Sequence, residues 1–268
     1  MASFSVVSNI ASSNAQANMS TTNIGLTKAL QRLSSGYRIN YSGDDSAGLA
    51  VANTYRNNLS IMNQGVRNAN DGLSKLQIKD GALGNISTIL DRMATLATQA
   101  ASSSNGVDIS KLSSEFNTLT SEIDREATVA GLSSSNNFSV FVSSETTVAN
   151  GMVTGSIAAA TTSALGVSQT SFTSVAQAQT ALSQVQAAIS SLGSVQNTVG
   201  TLENRLQFAI SLSQSQVVNT QAAESRIRDA NIAEESANMT KFNILTQSGI
   251  AALAQANQSS GSVLSLLR

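Results

Sequence analysis

No cysteine, histidine, proline or tryptophan occurs among the 268 residues. Without cysteine there is no disulfide framework, no thiolate nucleophile and no iron–sulfur or zinc–thiolate site. Without histidine there is no imidazole metal ligand and no triad of the usual kind. Charge is scarce: 12% of residues are Asp, Glu, Lys or Arg, where soluble domains carry about 25%. The net charge of −1 gives no general attraction to nucleic acid or to an anionic membrane. No apolar run reaches the roughly 18–20 residues that span a bilayer, so no membrane insertion is expected. Met1 to Val7 holds neither a basic region nor a continuous apolar block, which predicts no cleaved secretory signal. No nucleophile–base set, phosphate-binding glycine loop or metal cluster is evident, so no enzyme, cofactor or metal is expected.

What fills the chain is Ala, Ser, Thr, Asn, Gln, Leu, Ile and Val. With no proline to break them, such sequences permit very long helices. Aromatics at 4% point to thin layers of aliphatic side chains and Ala, as in bundles and coiled coils. The charges fall in two arms. Residues 1–145 carry ten basic and eleven acidic groups, residues 203–268 carry five of each, and Thr146 to Leu202 carries none.

Apolar residues recur at three-to-four spacing through Met19, Leu26, Leu30 and Leu33, and Ser34-Ser35-Gly36 gives a stop. Ser42-Gly43-Asp44-Asp45-Ser46 gives a start. A long stripe follows from Leu49 through Leu76 and Leu90 to Leu96, a helix on the order of 80 Å at roughly 1.5 Å per residue. A second helix is predicted from about Ser110 to Val129. Phe138 to Val142 is rich in β-formers, Asn150-Gly151 is a hairpin turn signal, and Met152 to Ile157 is the return strand. Helical spacing resumes at Val175 and runs through Val185, Leu192, Val199, Leu206 and Phe208 to about Gln221. The last arm, Ile232 to Arg268, repeats through Phe242, Leu245, Gly249, Ala252, Ala256, Val263 and Leu266. The fold class is therefore mainly α: an elongated antiparallel helical bundle or coiled coil built from both chain ends, with a small β-hairpin-containing insert. Each arm lacks partners of its own, so the two are expected to pack on each other and then on other subunits.

Two acidic pairs invite sharper readings. Gly43-Asp44-Asp45 is the tripeptide of metal-holding polymerase sites, but with no third carboxylate close in sequence it reads as a helix start. Glu234-Glu235 reads as an exposed face near a helix start.

Several segments resemble bacterial flagellin. They are Leu30-Gln31-Arg32-Leu33-Ser34-Ser35-Gly36-Tyr37-Arg38-Ile39-Asn40, Asp44 to Asn53, and Asn63 to Gly72. Near the other end they are Ser225-Arg226-Ile227-Arg228-Asp229-Ala230, Leu253 to Gln258, and Val263-Leu264-Ser265-Leu266-Leu267-Arg268. The resemblance covers roughly residues 1–131 and 175–268. A proline often found before the terminal motif is replaced here by Ser259-Ser260-Gly261, and the middle is short.

The resemblance implies a structural subunit that leaves through the flagellar type III export channel and polymerises at the distal tip of an extracellular filament. It divides the chain into an N-terminal arm (1–45), two halves of a rod (46–131 and 173–226), a short variable β-rich surface insert (132–172) and a C-terminal arm (227–268). The arms would form the filament core, with Leu26, Leu30, Leu33, Leu245, Leu253, Val263, Leu264, Leu266 and Leu267 as the polymerisation residues. Implied partners are the chain itself, the filament cap, the hook–filament junction protein, an export chaperone and the export gate. Arg92, Leu96, Gln99 and Glu122 resemble a surface that an animal innate immune flagellin receptor reads, and the same four residues are expected to form an inter-subunit surface. A plainer reading puts Leu96 in the core. The Ser/Thr-rich middle, including Ser133-Ser134-Ser135, Thr146-Thr147 and Thr161-Thr162-Ser163, is a candidate for O-glycosylation against a plain polar loop. The other functions considered are a hook–filament junction protein and a secreted helical adhesin.

Overall fold

The computed structural model describes residues 9–102, 108–143, 151–168 and 171–265, with side chains of the last helix described to Ser259. In order these form α1 (Ile10–Ser35), α2 (Ser46–Ala101), α3 (Ile109–Val129), β1 (Asn136–Phe141), β2 (Met152–Ile157), α4 (Thr162–Leu165), α5 (Val175–Arg228) and α6 (Ile232–Ser265). The absence of proline is realised as two helices of 56 and 54 residues.

Local chemistry sets the helix ends. Asn9 caps α1 by accepting the Ser12 N–H at 3.0 Å, so α1 starts nine residues before the apolar spacing does. Gly36 ends it in the left-handed region at φ 74° and donates its N–H to Arg32 O at 2.8 Å. Asp45 opens α2: its Oδ1 accepts the Gly48 N–H at 2.9 Å, which is the helix-start role read for Asp44-Asp45. α5 continues to Arg228 rather than stopping near Gln221, and α4, with only four residues, has no periodicity to announce it.

The chain forms two compact units, residues 1–57 with 220–268 and residues 58–219. In the first, α1 and α6 are antiparallel. Asn9 Nδ2 donates to Ala256 O at 3.0 Å, Met19 lies over Gly249, Gly25 faces Phe242, and Arg32 pairs with Glu235 at 3.0 Å. Rising residue numbers along α1 meet falling numbers along α6. The pairing continues past the helices as a short bridge between Tyr37 and Asp229. There the Arg38 N–H donates to Arg228 O at 2.6 Å and the Ala230 N–H to Gly36 O at 2.9 Å. The Arg228 guanidinium sits 4.1 Å from the Tyr37 ring centre, a cation–π contact.

In the second unit, Leu76, Leu83, Ile86, Leu90 and Met93 of α2 are buried with Phe116 and Ile123 of α3 and Val185, Leu192, Val199 and Leu206 of α5. Fully burying one such side chain contributes about 1.5–3 kcal/mol. Phe116 meets Phe172 edge-on with ring centres 5.3 Å apart. Asp124 ties α3 to α4, accepting from the Thr162 N–H at 2.9 Å and from its hydroxyl at 3.0 Å.

Four expectations are corrected here. β1 and β2 do pair antiparallel, but Phe141 opposes Met152, so residues 142–151 all lie between them and Asn150-Gly151 is not a two-residue turn. Asn150 itself lies outside the described residues. Gly151 O instead accepts from the N–H groups of Val142 and Ser143. The 132–172 segment does not simply face outward: Leu132, Ile157, Ala160 and Phe172 are fully buried, because one face of the hairpin region completes the helical core. Thr162 is buried and bonded to Asp124, which removes it as an exposed glycosylation acceptor, while Thr146-Thr147 lie outside the described residues. Phe208 is not part of the buried stripe; it is 76% exposed, because the packed face runs from Leu206 through Ala209 to Ser213 and Phe208 lies off it.

Candidate assembly surfaces

α1 and α6 present a thin seam and wide open flanks. Ala29 is the one buried side chain of α1. Leu26, Leu33 and Leu253 are half-buried. Leu30 and Leu245 are exposed, as are Ile10, Ile24, Ile244 and Ile250. A lone exposed isoleucine needs no account, but a run of them along two paired helices is apolar area that the chain alone leaves in water. Val263 and Leu264 fall within α6 but their side chains are not described, and Leu266 and Leu267 lie outside the described residues.

The seam is held by contacts between residues far apart in sequence. Phe242 fills the space that Gly25 leaves open. Glu235, expected on an exposed face, is buried because α6 lays it against Arg32 of α1. Both partners are individually ordinary in sequence; only their antiparallel alignment brings residues 203 positions apart together.

The second candidate surface is divided by the core. Leu96 is 1% exposed and packs inside the second unit, so it offers no side chain to a partner. Arg92 and Gln99 are exposed on either side of it. The physical reason is that positions 92, 96 and 99 straddle the edge of the buried stripe formed by Met93, Leu96, Ala97 and Ala100. Arg92 also has its carboxylate within the chain: Nε and Nη2 bond Glu115 Oε1 at 3.0 and 2.6 Å. Glu122 bonds Arg125 at 2.5 Å, and this hydrogen bond holds the Glu122 carboxyl below its usual range. Among the described residues no group of three or more Asp, Glu, His or Cys gathers as a metal site, and no helix is long and apolar enough to cross a membrane.

Paired helices from the two chain ends, with apolar flanks uncovered, define a helical protein whose first and last described helices form one body. The family model for the bacterial flagellin N-terminal helical region matches residues 6–146, and that for the C-terminal helical region matches residues 176–267. The chain is 34% identical to flagellin FlaB1 of Treponema pallidum (strain Nichols) over 95% of its length and 96% of that protein's. It is equally identical to a flagellin of Halalkalibacterium halodurans, over 97% of this chain and 98% of that one. A crystal structure of Bacillus cereus flagellin is 31% identical and covers 59% of this chain and 94% of its own, with a TM-score of 0.48. The chain belongs to the bacterial flagellin family.

Proposed function

We propose that this chain is a structural subunit that polymerises into the bacterial flagellar filament, outside the cell, for swimming motility. The observation that carries this reading is the uncovered apolar flank of the α1–α6 pair, with Ile10, Ile24 and Leu30 on one helix and Ile244, Leu245 and Ile250 on the other. Burying it against further copies supplies about 25 cal/mol per Å² of apolar area, which a single chain does not gain. A relative 34% identical, from Treponema phagedenis, carries the name flagellar filament 33 kDa core protein, which supports the same reading. In it, export proceeds through the flagellar type III gate with a chaperone, and growth occurs under the filament cap beyond the hook–filament junction protein.

Purified chain should form long filaments when seeded with sheared ones. Deleting Leu264 to Arg268 should impair that growth while leaving the 58–219 unit folded. Normal filaments from the truncated chain would contradict the role given to the terminal helices. For the animal innate receptor, the exposed groups that remain are Arg92, Gln99 and Glu122; Leu96 would act only by holding α2 in place.

A further inference from the structure

Glycine is a poor residue for a helix interior, and several here have a reason within the chain. A Cβ on Gly25 would strike Phe242, one on Gly65 the Val142 carbonyl, and one on Gly72 the Val140 side chain. Four others have none. At Gly81 and Gly84 of α2, and at Gly193 and Gly200 of α5, an added Cβ would meet nothing within 4 Å. In the same unit, Phe208 and Leu212 stand one turn apart on α5 with 76% and 61% of their surface exposed. The molecule thus carries uncovered apolar knobs and uncovered bare backbone, and neither satisfies the other within one chain.

We propose that Phe208 and Leu212 of one copy of this chain seat on the bare turn at Gly81–Gly84 of a second copy. Residues three apart lie on one face of a helix, so the two glycines bare one side of a single turn. Ile78, one turn earlier and 63% exposed, gives that hollow an apolar wall. At its far edge the Thr88 hydroxyl donates to Gly84 O at 3.2 Å, so an aromatic ring arriving there does not strand that hydroxyl. Gly193 and Gly200 are seven residues apart with Asn197 between them on the same face, and give no continuous hollow. Beside the knob, Asn204, Gln207 and Ser211 are uncharged and Arg205, three residues before Phe208, is exposed and donates to Thr154 O at 2.9 Å. Beside the hollow the exposed charge is Asp80, four residues before Gly84 and of opposite sign, so the two patches are complementary in charge. Knob and hollow are different patches of one surface. Such a contact is heterologous, joins copies head to tail and leaves a further patch free at each end, as an open polymer requires. The inference rests on the filament reading and specifies one contact within it.

The chain has no cysteine, so an introduced disulfide reports the contact without background. Tagged Phe208→Cys chains and untagged Gly84→Cys chains, co-assembled in equal amounts and oxidised, should give a covalent dimer containing one of each. The same mixture kept monomeric should not. A Gly81→Gln/Gly84→Gln chain should melt no lower than wild type, since Gln is the better helix former. It should nevertheless need at least about tenfold more monomer to sustain seeded growth, because the hollow is filled. A Gly81→Ala/Gly84→Ala chain, with the smaller side chain, should show the same opposition in weaker form. Growth of the Gln chain at the wild-type concentration, or filaments holding both cysteines without the mixed dimer, would overturn the contact and leave the filament reading intact. Equal cross-linking in monomer and filament would also overturn it. Normal growth in vitro of a Phe208→Gln chain that cells fail to export would overturn it too, and assign the knob to export. Failure of the wild-type chain to polymerise at all would remove the filament reading and this contact together.

Discussion

Phe242 of α6 lies so close to Gly25 of α1 that a Cβ at position 25 would fall 2.5 Å from the end of its ring. This contact lies within an antiparallel pairing anchored at one end by Asn9 on Ala256 and at the other, nearer end by Arg32 on Glu235. The helices approach closely here because one side chain is missing, and the ring takes its place.

Gly25→Leu should therefore separate α1 from α6. Overpacking of this kind costs about 1–3 kcal/mol. Circular dichroism of the monomer should register lost helix in the terminal unit while the 58–219 unit keeps its melting transition. A Gly25→Leu/Phe242→Ala pair should recover part of the loss; no recovery would mean the ring is not what fills position 25.

Glu235→Ala should destabilise the same seam. Its side chain is 11% exposed and that of Arg32 is 30% exposed, so the pair is neither fully screened nor fully dry. Removing the acceptor leaves a part-buried guanidinium short of a partner, at a cost of about 1–3 kcal/mol. The Arg32→Ala/Glu235→Ala pair should lose less than the two single changes added together. Amide exchange in α1 and α6 is the readout.

Acidification should relieve a cost at one carboxyl of the other unit. Glu203 has its Oε1 buried without a hydrogen-bond partner among the described residues. Burial, then the charge of Asp80, pushes its pKa above the usual carboxylate range. A carboxyl whose folded value exceeds its unfolded value favours folding while it holds its proton, and that contribution is lost as pH rises through the folded value. Glu203→Gln should raise the melting temperature at pH 7, and the advantage should shrink as pH falls into the carboxylate range. An advantage that grows on acidification would contradict the assignment. Glu122, held low by Arg125, runs the other way, so the comparison must be between variant and wild type.

Arg92→Ala and Leu96→Ala should separate two kinds of effect that a shared helix face would merge. The Arg92–Glu115 pair is about half exposed and should contribute less than about 1 kcal/mol. Leu96 is fully packed and its loss should cost about 2–5 kcal/mol. Thermal melts of the monomer check this directly. If both variants weaken receptor signalling, the Leu96 effect should follow the fraction unfolded and the Arg92 effect should not.

The helical plan was legible because proline is absent and because Gly36 and Asp45 carry cap chemistry that needs no tertiary context. β1 and β2 were legible from their β-forming residues, but the connection between them was not: a turn signal fixes a turn only if the strands pair right up to it, and Phe141 opposes Met152 instead. Phe208 stands only two residues after Leu206, off the three-to-four spacing that continues through Ala209 to Ser213, and an apolar residue off that spacing faces solvent. Glu235 misled for a different reason, since a charge near a helix start is exposed unless a distant helix covers it. The burial of Leu132, Ile157 and Phe172 had no local signal either. It depends on α2, α3 and α5 leaving a gap in the core that only the folded chain defines.

The central claim is that α1 and α6, paired antiparallel, are completed by the same pair from other copies. Electron cryo-microscopy of filaments grown from the purified full chain tests it most directly. The expected result is a continuous filament whose innermost wall is built of α1 and α6, with Ile24, Leu30, Ile244 and Leu245 covered by neighbouring subunits. A filament in which those four side chains still face solvent, with the contacts made only by residues 58–219, would contradict it.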